Sequence, residues 1–243
     1  GDSGNGIDAF DDKMPTAWEE PWGNALGTGV QLVSGSGPQS NLMYTTPTIA
    51  GTTITYTTAP NMGSADVADK GYSGDSAGTT GAGHDLTINI NPSLGTEILT
   101  GLNLFAGAHQ TANTVATENN LYEGVAGLTF DIGPVSLGYA ASGVSTGQEG
   151  ASEVDWYKNS MYGVAFNIND DLSVSYGFHK SRKGFVNPGV NEAVELDMTS
   201  WQIAYSIGGA SIRYADSKVT NGAYQTNPGY DKGAQVVSVS LAF

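Results

Sequence analysis

The sequence lacks cysteine, is poor in basic residues and contains no long apolar run. Among its 243 residues there is no Cys, and 9 Lys or Arg stand against 24 Asp or Glu, which gives a formal net charge of −15. The absence of Cys excludes a disulfide framework and thiolate chemistry. The excess of acid argues against nucleic-acid binding, which needs a basic surface. No run approaches the ~18 consecutive apolar residues of a transmembrane helix.

Glycine and a two-residue alternation of apolar and polar side chains are abundant instead. The chain contains 34 Gly and 12 Tyr, and charged residues make up only 14% of it, against a usual ~25%. Residues 237–243 read Val-Ser-Val-Ser-Leu-Ala-Phe, so that every second side chain is large and apolar. In a β-strand such residues share one face. The same pattern recurs along the chain and predicts an all-β protein.

Eleven segments with this alternation are separated by connections that are short and long in turn. Short turns are expected at 50–51, 91–95, 133–134, 169–170 and 208–209, and long polar loops near 60–83, 108–119, 145–157, 181–195 and 218–233. Short periplasmic turns and long outer loops are the plan of an antiparallel transmembrane β-barrel, whereas a soluble β-sandwich rarely alternates so strictly. The predicted strands cover residues 40–49, 52–59, 84–91, 96–107, 120–131, 135–144, 158–168, 171–180, 196–207, 210–217 and 234–243.

Aromatic side chains on the apolar face support the membrane interpretation. Many fall toward strand ends, where outer-membrane barrels carry aromatic girdles at the two interfaces. The opposite face is rich in Ser, Thr, Asn, Gln, Gly and Ala, as expected for a water-filled lumen. The aromatic residues assigned to the lipid-facing side are Tyr44, Tyr56, Phe130, Tyr139, Tyr162, Phe166, Tyr176, Phe178, Trp201, Tyr205, Tyr214 and Phe243.

The odd strand number predicts that this chain is one part of a barrel. A closed single-chain bacterial barrel has an even number of strands, and an open edge in lipid leaves backbone groups unpaired at several kcal/mol each. We expect the missing strands to come from a second chain, a cleaved piece or a part of the protein outside this sequence. Residues 1–4 show no signal-peptide features, as in a mature or truncated chain. The alternative is a twelve-stranded barrel in which residues 27–33 form an additional strand.

The segment 41–56 resembles a hairpin of the general porins of Gram-negative bacteria. In that family a pattern N-S-x-x-Y-x-S-P-x-F-x-G-x-x-x-x-x-Y follows the loop that constricts the pore. The resemblance extends in pattern over the chain from residue 7 onward. Allowing small differences in spacing, the matching residues are Asn41, Tyr44, Pro47, Gly51 and Tyr56, while Thr46 and Ile49 replace the Ser and the Phe.

The resemblance implies a sixteen-stranded, homotrimeric porin of the outer membrane, of which this chain supplies strands 6–16. Residues 40–243 are then barrel strands with their loops, and residues 1–39 contain the constriction loop that folds into the pore. Phe243 resembles the terminal assembly signal of outer-membrane proteins. The implied partners are outer-membrane lipid, lipopolysaccharide, small hydrophilic solutes and cations, with no nucleic acid and no cofactor.

Acidic residues are concentrated in the segment assigned to the constriction. Six of the first 20 residues are acids, and Lys13 is the only base before Lys70. Taken alone, this describes a solvated acidic loop, but carboxylates beside a narrow aqueous passage attract cations. Arg213 lies between Ile212 and Tyr214, which are expected to face outward. Placing its charge in lipid would cost about 2–4 kcal/mol of free energy, so we expect the side chain in the lumen. The predicted pore-lining residues are Asp8, Asp11, Asp12, Lys13, Glu19, Glu20 and Arg213.

Other chemistry is weakly indicated. His84, His109 and His179 lack metal-ligand spacing, and the first two are expected at loop boundaries. The opening Gly-Asp-Ser-Gly is like the fragment around a serine-protease nucleophile, but no strand precedes it and no Ser-His pair can be assigned. Some loop carboxylates are candidates for Ca²⁺ bound between outer loops, although no segment has the spacing of a calcium loop. They are Asp66, Asp69 and Asp75, or Glu192 and Glu195.

The sequence therefore predicts a water-filled outer-membrane channel for passive diffusion of ions and small hydrophilic solutes. We expect a preference for cations and no catalytic step. Two alternatives stay open. One is a twelve-stranded outer-membrane barrel enzyme or surface protein, and the other is a soluble β-sandwich that binds carbohydrate.

Overall fold

The computed structural model describes residues 6–23, 26–37, 39–62, 80–92, 99–113 and 118–241. Within them, eleven strands form one sheet, and each strand pairs antiparallel with its neighbours in the sequence. The prediction of an all-β antiparallel fold is confirmed. The described sheet is not closed, and β1 and β11 are its two edges. The strands are β1 (Leu42–Thr45), β2 (Thr52–Ala59), β3 (Thr80–Ile90), β4 (Leu102–Asn113), β5 (Leu121–Ile132), β6 (Val135–Ser145), β7 (Val154–Asn167), β8 (Leu172–Phe185), β9 (Val194–Ile207), β10 (Ala210–Thr220) and β11 (Lys232–Leu241).

The outward face of the sheet is apolar across its width. The backbone register aligns one large apolar residue on each strand from β7 to β11. Trp201, on the same face, is 63% exposed. So much exposed apolar surface, arranged in continuous rows, suits hydrocarbon rather than water. The aligned residues are Phe166, Val174, Ile203, Tyr214 and Val237.

The buried apolar core lies on the other side of the sheet, between the strands and residues that precede β1. One cluster centres on Ile7, Phe10 and Met14, which pack against Phe105 and Met161. A second cluster lies nearer the last strands and consists of Leu26, Leu196, Met198, Val219 and Tyr224. The inner side of the sheet is therefore partly filled by the chain's own N-terminal segment.

Tight turns join the strands at one end of the sheet. Ala50 and Gly51, between β1 and β2, have φ angles of 50° and 76°, and Gly208 and Gly209, between β9 and β10, have 56° and 85°. Two consecutive positive φ values are what type I′ hairpin turns require, and Gly adopts them without strain. These turns lie where the sequence predicts them. The turn predicted at 91–95 is longer, since β4 begins only at Leu102 rather than at residue 96, and residues 93–98 lie outside the described part.

The strands extend farther toward the long loops than the alternation predicts. For example, β8 ends at Phe185 rather than at residue 180, and β7 begins at Val154 rather than at residue 158. The prediction was wrong here because backbone pairing continues beyond the apolar belt, where both faces of a strand meet polar surroundings and the alternation disappears. β1 is shorter than predicted, because Pro47 cannot donate a backbone hydrogen bond to the ladder.

The alternative of a twelfth strand at residues 27–33 is wrong. This segment is irregular and lies against the inner side of the sheet. The Gln31 N–H donates to the Tyr224 hydroxyl at 3.0 Å, and the Gln31 carbonyl accepts from Asn159 Nδ2 at 3.0 Å. Among the described residues, no helix has the length and hydropathy needed to cross a membrane.

Candidate functional site

The described residues 6–23 and 26–37, here called the inner loop, run across the inner face of the sheet. A 3₁₀ helix at Gly6–Phe10 contacts the strands from β2 to β5, and a second one at Pro21–Gly23 contacts β8 and β9. The buried apolar residues Ile7, Phe10 and Met14 seat the first part of the loop. The segment therefore crosses most of the described wall instead of extending away from it.

One carboxylate holds both ends of the inner loop. Asp85, on β3, is 1% exposed and accepts hydrogen bonds from the backbone N–H groups of Ile7 at 3.3 Å and Ser36 at 3.1 Å, and from the Ser36 hydroxyl at 3.0 Å. His109 Nδ1 on β4 donates to the same carboxylate, and its Nε2 lies 2.6 Å from the Thr111 hydroxyl. Because both ends of the loop meet on one side chain, Asp85 closes the loop.

A second buried acid reinforces this attachment. The Glu123 carboxylate on β5 accepts the backbone N–H groups of Ser34 at 2.9 Å and Gly35 at 2.7 Å. Two backbone N–H groups on one side chain fix the loop at two successive residues. We call Asp85, His109 and Glu123 the clamp. It lies beneath the loop and holds the returning part of the loop on three adjacent strands.

Inward-facing glycines allow the inner loop to lie close to the wall. Gly138, Gly163 and Gly177 are register neighbours on β6, β7 and β8, so they form one row. A Cβ on Gly163 would lie 2.8 Å from the Pro15 carbonyl oxygen, and one on Gly177 would lie 2.8 Å from Pro21 Cγ. Both distances are shorter than real contacts. The row therefore leaves a track into which the loop backbone fits.

Polar side chains fix the far part of the loop. The Ala17 N–H donates to Ser175 Oγ at 2.8 Å, and the Trp18 and Glu19 N–H groups both donate to Gln202 Oε1 at 3.0 Å. Gln202 Nε2 donates in return to the Glu19 carbonyl. Every anchor is a short polar side chain on the inward face of a strand. The alternation that turns apolar groups outward thus also turns these anchors inward.

The acids of the inner loop form one electrostatic cluster. The pKa of Asp11 is raised to about 8, chiefly by burial and to a smaller extent by the charges of Asp8, Asp12 and Glu20. Burial likewise raises the pKa of Glu20 to about 7, with smaller contributions from Asp12 and Glu19. The structure thus brings all five predicted acids together. Near neutral pH, Asp11 and Glu20 are poised between their neutral and charged forms.

The remaining predicted site residues lie elsewhere or outside the described part. Lys13 belongs to the loop, and its Nζ lies 5.5 Å from the centroid of the Phe10 ring. Arg213 lies on the inward face of β10, opposite Ala204 and Ser238, where it lines a cavity with Trp18 rather than joining the acids. Phe243 is not among the described residues.

The clamp and Gln202 anchor the inner loop, and the sequence did not single them out. His109 was expected at a loop boundary, but it lies inside β4, and His84 lies inside β3. Both errors follow from strand ends that were placed too early or too late. The available signal was a charged or imidazole side chain on the polar face of a strand, as at Asp85 and Glu123. Polar residues that face water in a lumen occupy the same alternate positions of a strand, so the contacts of these side chains with the loop could not be recognised from the sequence.

Metal-binding groups are not found in the part of the chain that the structure describes. There, no three His, Cys, Asp or Glu side chains come together in a way that could hold a metal ion. Glu195, one of the calcium candidates, accepts an ion pair from Lys180 at 2.8 Å. The candidates Asp66, Asp69 and Asp75 lie outside the described residues.

Comparison with known proteins gives matches among solved structures only. No family model and no curated protein sequence matches the chain. The anion-selective porin from Comamonas acidovorans superposes with a TM-score of 0.55 at 10% identity, over 74% of this chain and 48% of that one. The outer-membrane channel DcaP of Acinetobacter baumannii superposes with a TM-score of 0.59 at 11% identity, over 94% of this chain and 66% of that one.

The chain therefore spans about half of the length of one of these proteins and slightly less than two thirds of the other. At such low identity the likeness establishes architecture and nothing finer. It agrees with the apolar outward face, the inward loop and the sequence resemblance. The chain has the fold of an outer-membrane porin, represented here by eleven antiparallel strands and a loop folded onto their inner face.

Proposed function

We propose that the protein is an outer-membrane porin, a water-filled channel through which ions and small hydrophilic solutes diffuse passively. The observation that carries this proposal is the inner loop, which bears an acidic cluster and is held against the inner wall of a porin-type sheet. A loop in that position narrows an aqueous lumen without filling it. Transport then needs no catalytic step and no cofactor.

The same loop supports a preference for cations. Carboxylates beside a narrow aqueous passage concentrate cations, because low-dielectric walls focus their field. One of the porins with this fold is described as anion-selective, so the fold does not determine the sign of the selectivity. In this chain the sign is expected to follow from the five clustered acids, since Lys13 is the only base among residues 6–23.

The test is the reversal potential of the purified protein in planar bilayers under a KCl gradient. We expect stepwise conductance and a reversal potential of the sign that cation preference gives. At pH 9, where both carboxylates are charged, the double variant Asp11→Asn, Glu20→Gln should shift the potential toward zero. Asp216→Asn is the matched control, because Asp216 lies on the outward face and accepts from Gln235 Nε2 at 3.2 Å. Anion preference of the unaltered protein would overturn the cation assignment, and the absence of conductance would overturn the channel.

We further propose that the working unit is a homotrimer in contact with outer-membrane lipid and lipopolysaccharide. Its barrels would be completed by strands from a second chain or from a part of the protein outside this sequence. Supporting this, the edges β1 and β11 pair with no further strand among the described residues. Intact mass and native mass in detergent test both points. A subunit mass well above 25.1 kDa, or a co-purifying fragment, is expected, together with three copies of each barrel.

A further inference from the structure

A cavity of about 660 Å³ lies on the short-turn side of the inner loop. Ala17 and Trp18 border it from the loop, Ser206 and Arg213 from β9 and β10, and Asp170 and Asp171 from the turn between β7 and β8. Its volume is within the range of small-molecule sites. Because the cavity belongs to the inner side of the sheet, a solute that passes the loop would enter it.

Arg213 is the unengaged base of this inner wall. It makes no ion pair or hydrogen bond with any described residue. The other two inward-facing bases of the described strands are in use. Lys183 Nζ lies 5.1 Å from the centroid of the Tyr224 ring, and Lys232 Nζ donates to the Leu26 carbonyl at 3.4 Å. The guanidinium of Arg213 is thus free to bind a solute carboxylate through two parallel hydrogen bonds.

The other walls of the cavity carry complementary groups. The backbone at Trp18 is fixed, because the backbone N–H groups of Trp18 and Glu19 both donate to Gln202 Oε1 at 3.0 Å. The Trp18 indole offers an apolar surface, and also a face that attracts cations. Asp170 and Asp171 are exposed acids at the rim, and the Asp171 N–H donates to Asn169 Oδ1 at 2.9 Å. The cavity therefore presents one cation, one aromatic ring and two anions.

We propose that this cavity is a solute subsite for small molecules that carry both a carboxylate and an ammonium group, as amino acids and short peptides do. The carboxylate pairs with Arg213, the ammonium faces Asp170 and Asp171, and the body of the solute lies under Trp18. This inference rests on the proposed channel function. It adds a site that contains a base beyond the acidic loop, so that a solute with both charges meets a partner for its ammonium at the loop and a partner for its carboxylate in the cavity.

The test uses the purified channel in planar bilayers with trialanine as the probe. Trialanine amide, which lacks the carboxylate, and N-acetyl-trialanine, which lacks the ammonium, are the matched solutes. We expect trialanine to interrupt the ion current with the longest dwell time of the three. Arg213→Gln should shorten that dwell time about tenfold, and Arg213→Lys, which keeps the charge but not the planar fork, should shorten it less.

Two further variants separate the subsite from general charge effects. Arg182→Gln removes the same charge from the outward face of β8 and should leave the dwell time unchanged. Asp170→Asn with Asp171→Asn should shorten the dwell time of trialanine but not that of N-acetyl-trialanine. Equal effects of the Arg213 and Arg182 variants, or equal dwell times for the three solutes, would overturn the subsite while the channel stands. Absence of any conductance would overturn both proposals.

Discussion

Two sets of carboxylates on the inner side of this fold differ in their surroundings: one set lies on the strands beneath the inner loop, and the other lies on the loop itself. The clamp acids Asp85 and Glu123 each accept several N–H donors, and they hold the inner loop. The loop acids Asp11 and Glu20 instead lie among neighbours of like charge, and the pKa of each is raised, chiefly by burial and less by those neighbours. The N–H donors thus make Asp85 and Glu123 anchors of the loop, whereas burial among other acids makes Asp11 and Glu20 titrate near neutral pH. The first set fixes where the second set stands.

Removing the clamp should have the largest effect. In Asp85→Asn, an NH2 group replaces one of the two acceptor oxygens and faces N–H donors, so the two ends of the loop are left with a single shared acceptor oxygen. We expect a loss of about 3 kcal/mol in the free energy that attaches the loop. Limited proteolysis should then cut within residues 6–37, and the open-channel current should become noisier. Asp216→Asn, on the outward face, is the control, and equal behaviour of the two variants would contradict the clamp.

Disturbing the track should have the next largest effect. In Gly163→Ala, the new methyl group would lie 2.8 Å from the Pro15 carbonyl oxygen, so the loop must move away from β7. We expect a loss of about 1–3 kcal/mol in unfolding free energy, measured by denaturant unfolding in detergent, together with an altered conductance. In the control Gly124→Ala, the nearest atom to the new methyl lies at 3.9 Å. If Gly163→Ala is as stable and conducts as well as the control, the loop does not lie on this track.

Neutralising the loop acids should change selectivity without releasing the loop. The variant Asp11→Asn, Glu20→Gln removes two carboxylates of the inner loop and leaves the clamp residues Asp85, His109 and Glu123 unaltered. At pH 9, where both carboxylates are charged, we expect the cation-to-anion permeability ratio to fall about twofold, as measured by reversal potential, while proteolysis of residues 6–37 stays at the level of the unaltered protein. Increased proteolysis would show that Asp11 and Glu20 also hold the loop in place, and would contradict the separation of loop acids from clamp acids.

The smallest effect expected is the response of the unaltered channel to pH. Because the pKa of Asp11 is raised to about 8 and that of Glu20 to about 7, both are largely neutral at pH 6 and charged at pH 9. Cation preference should therefore increase across this interval, and the increase should be lost in Asp11→Asn, Glu20→Gln. A selectivity that stays flat from pH 6 to 9 in the unaltered channel would place these two acids away from the ion path.

The outward face of the barrel could be predicted from the sequence because lipid imposes a strict alternation on every strand. Val237 and Val239 on β11 illustrate this, and the order and number of strands follow from many such residues. The strand ends beside the long loops could not be predicted in the same way. At Arg182 and Lys183, for instance, β8 continues where both faces carry polar groups, so the pattern ends before the strand does.

For the inner loop, too, some features could be predicted from the sequence and others could not. Its acids were identified from composition, since they are concentrated in a short segment. The clamp was not, because its contacts join residues far apart in the chain, as Ile7 and Asp85 are. A single acid on the polar face of a strand has the same sequence pattern as a residue that faces water in the lumen. Only the path of the folded loop distinguishes an acid that anchors the loop from one that lines the pore. Arg213 could be assigned to the lumen from the alternation alone. Its position beside the cavity and not among the loop acids depends on how β10 is aligned with its neighbours, which the alternation does not give.

The most direct test of the central claim, that the acid-bearing loop lines the water-filled pore, uses the absence of cysteine from the chain. Asp12 is exposed on the loop, so Asp12→Cys gives a single thiol at the expected constriction. Addition of a charged, membrane-impermeant thiosulfonate reagent to open channels should lower the conductance in discrete steps. Asp216→Cys on the outward face should not respond. Unchanged conductance in Asp12→Cys after complete modification, verified by mass, would contradict the account.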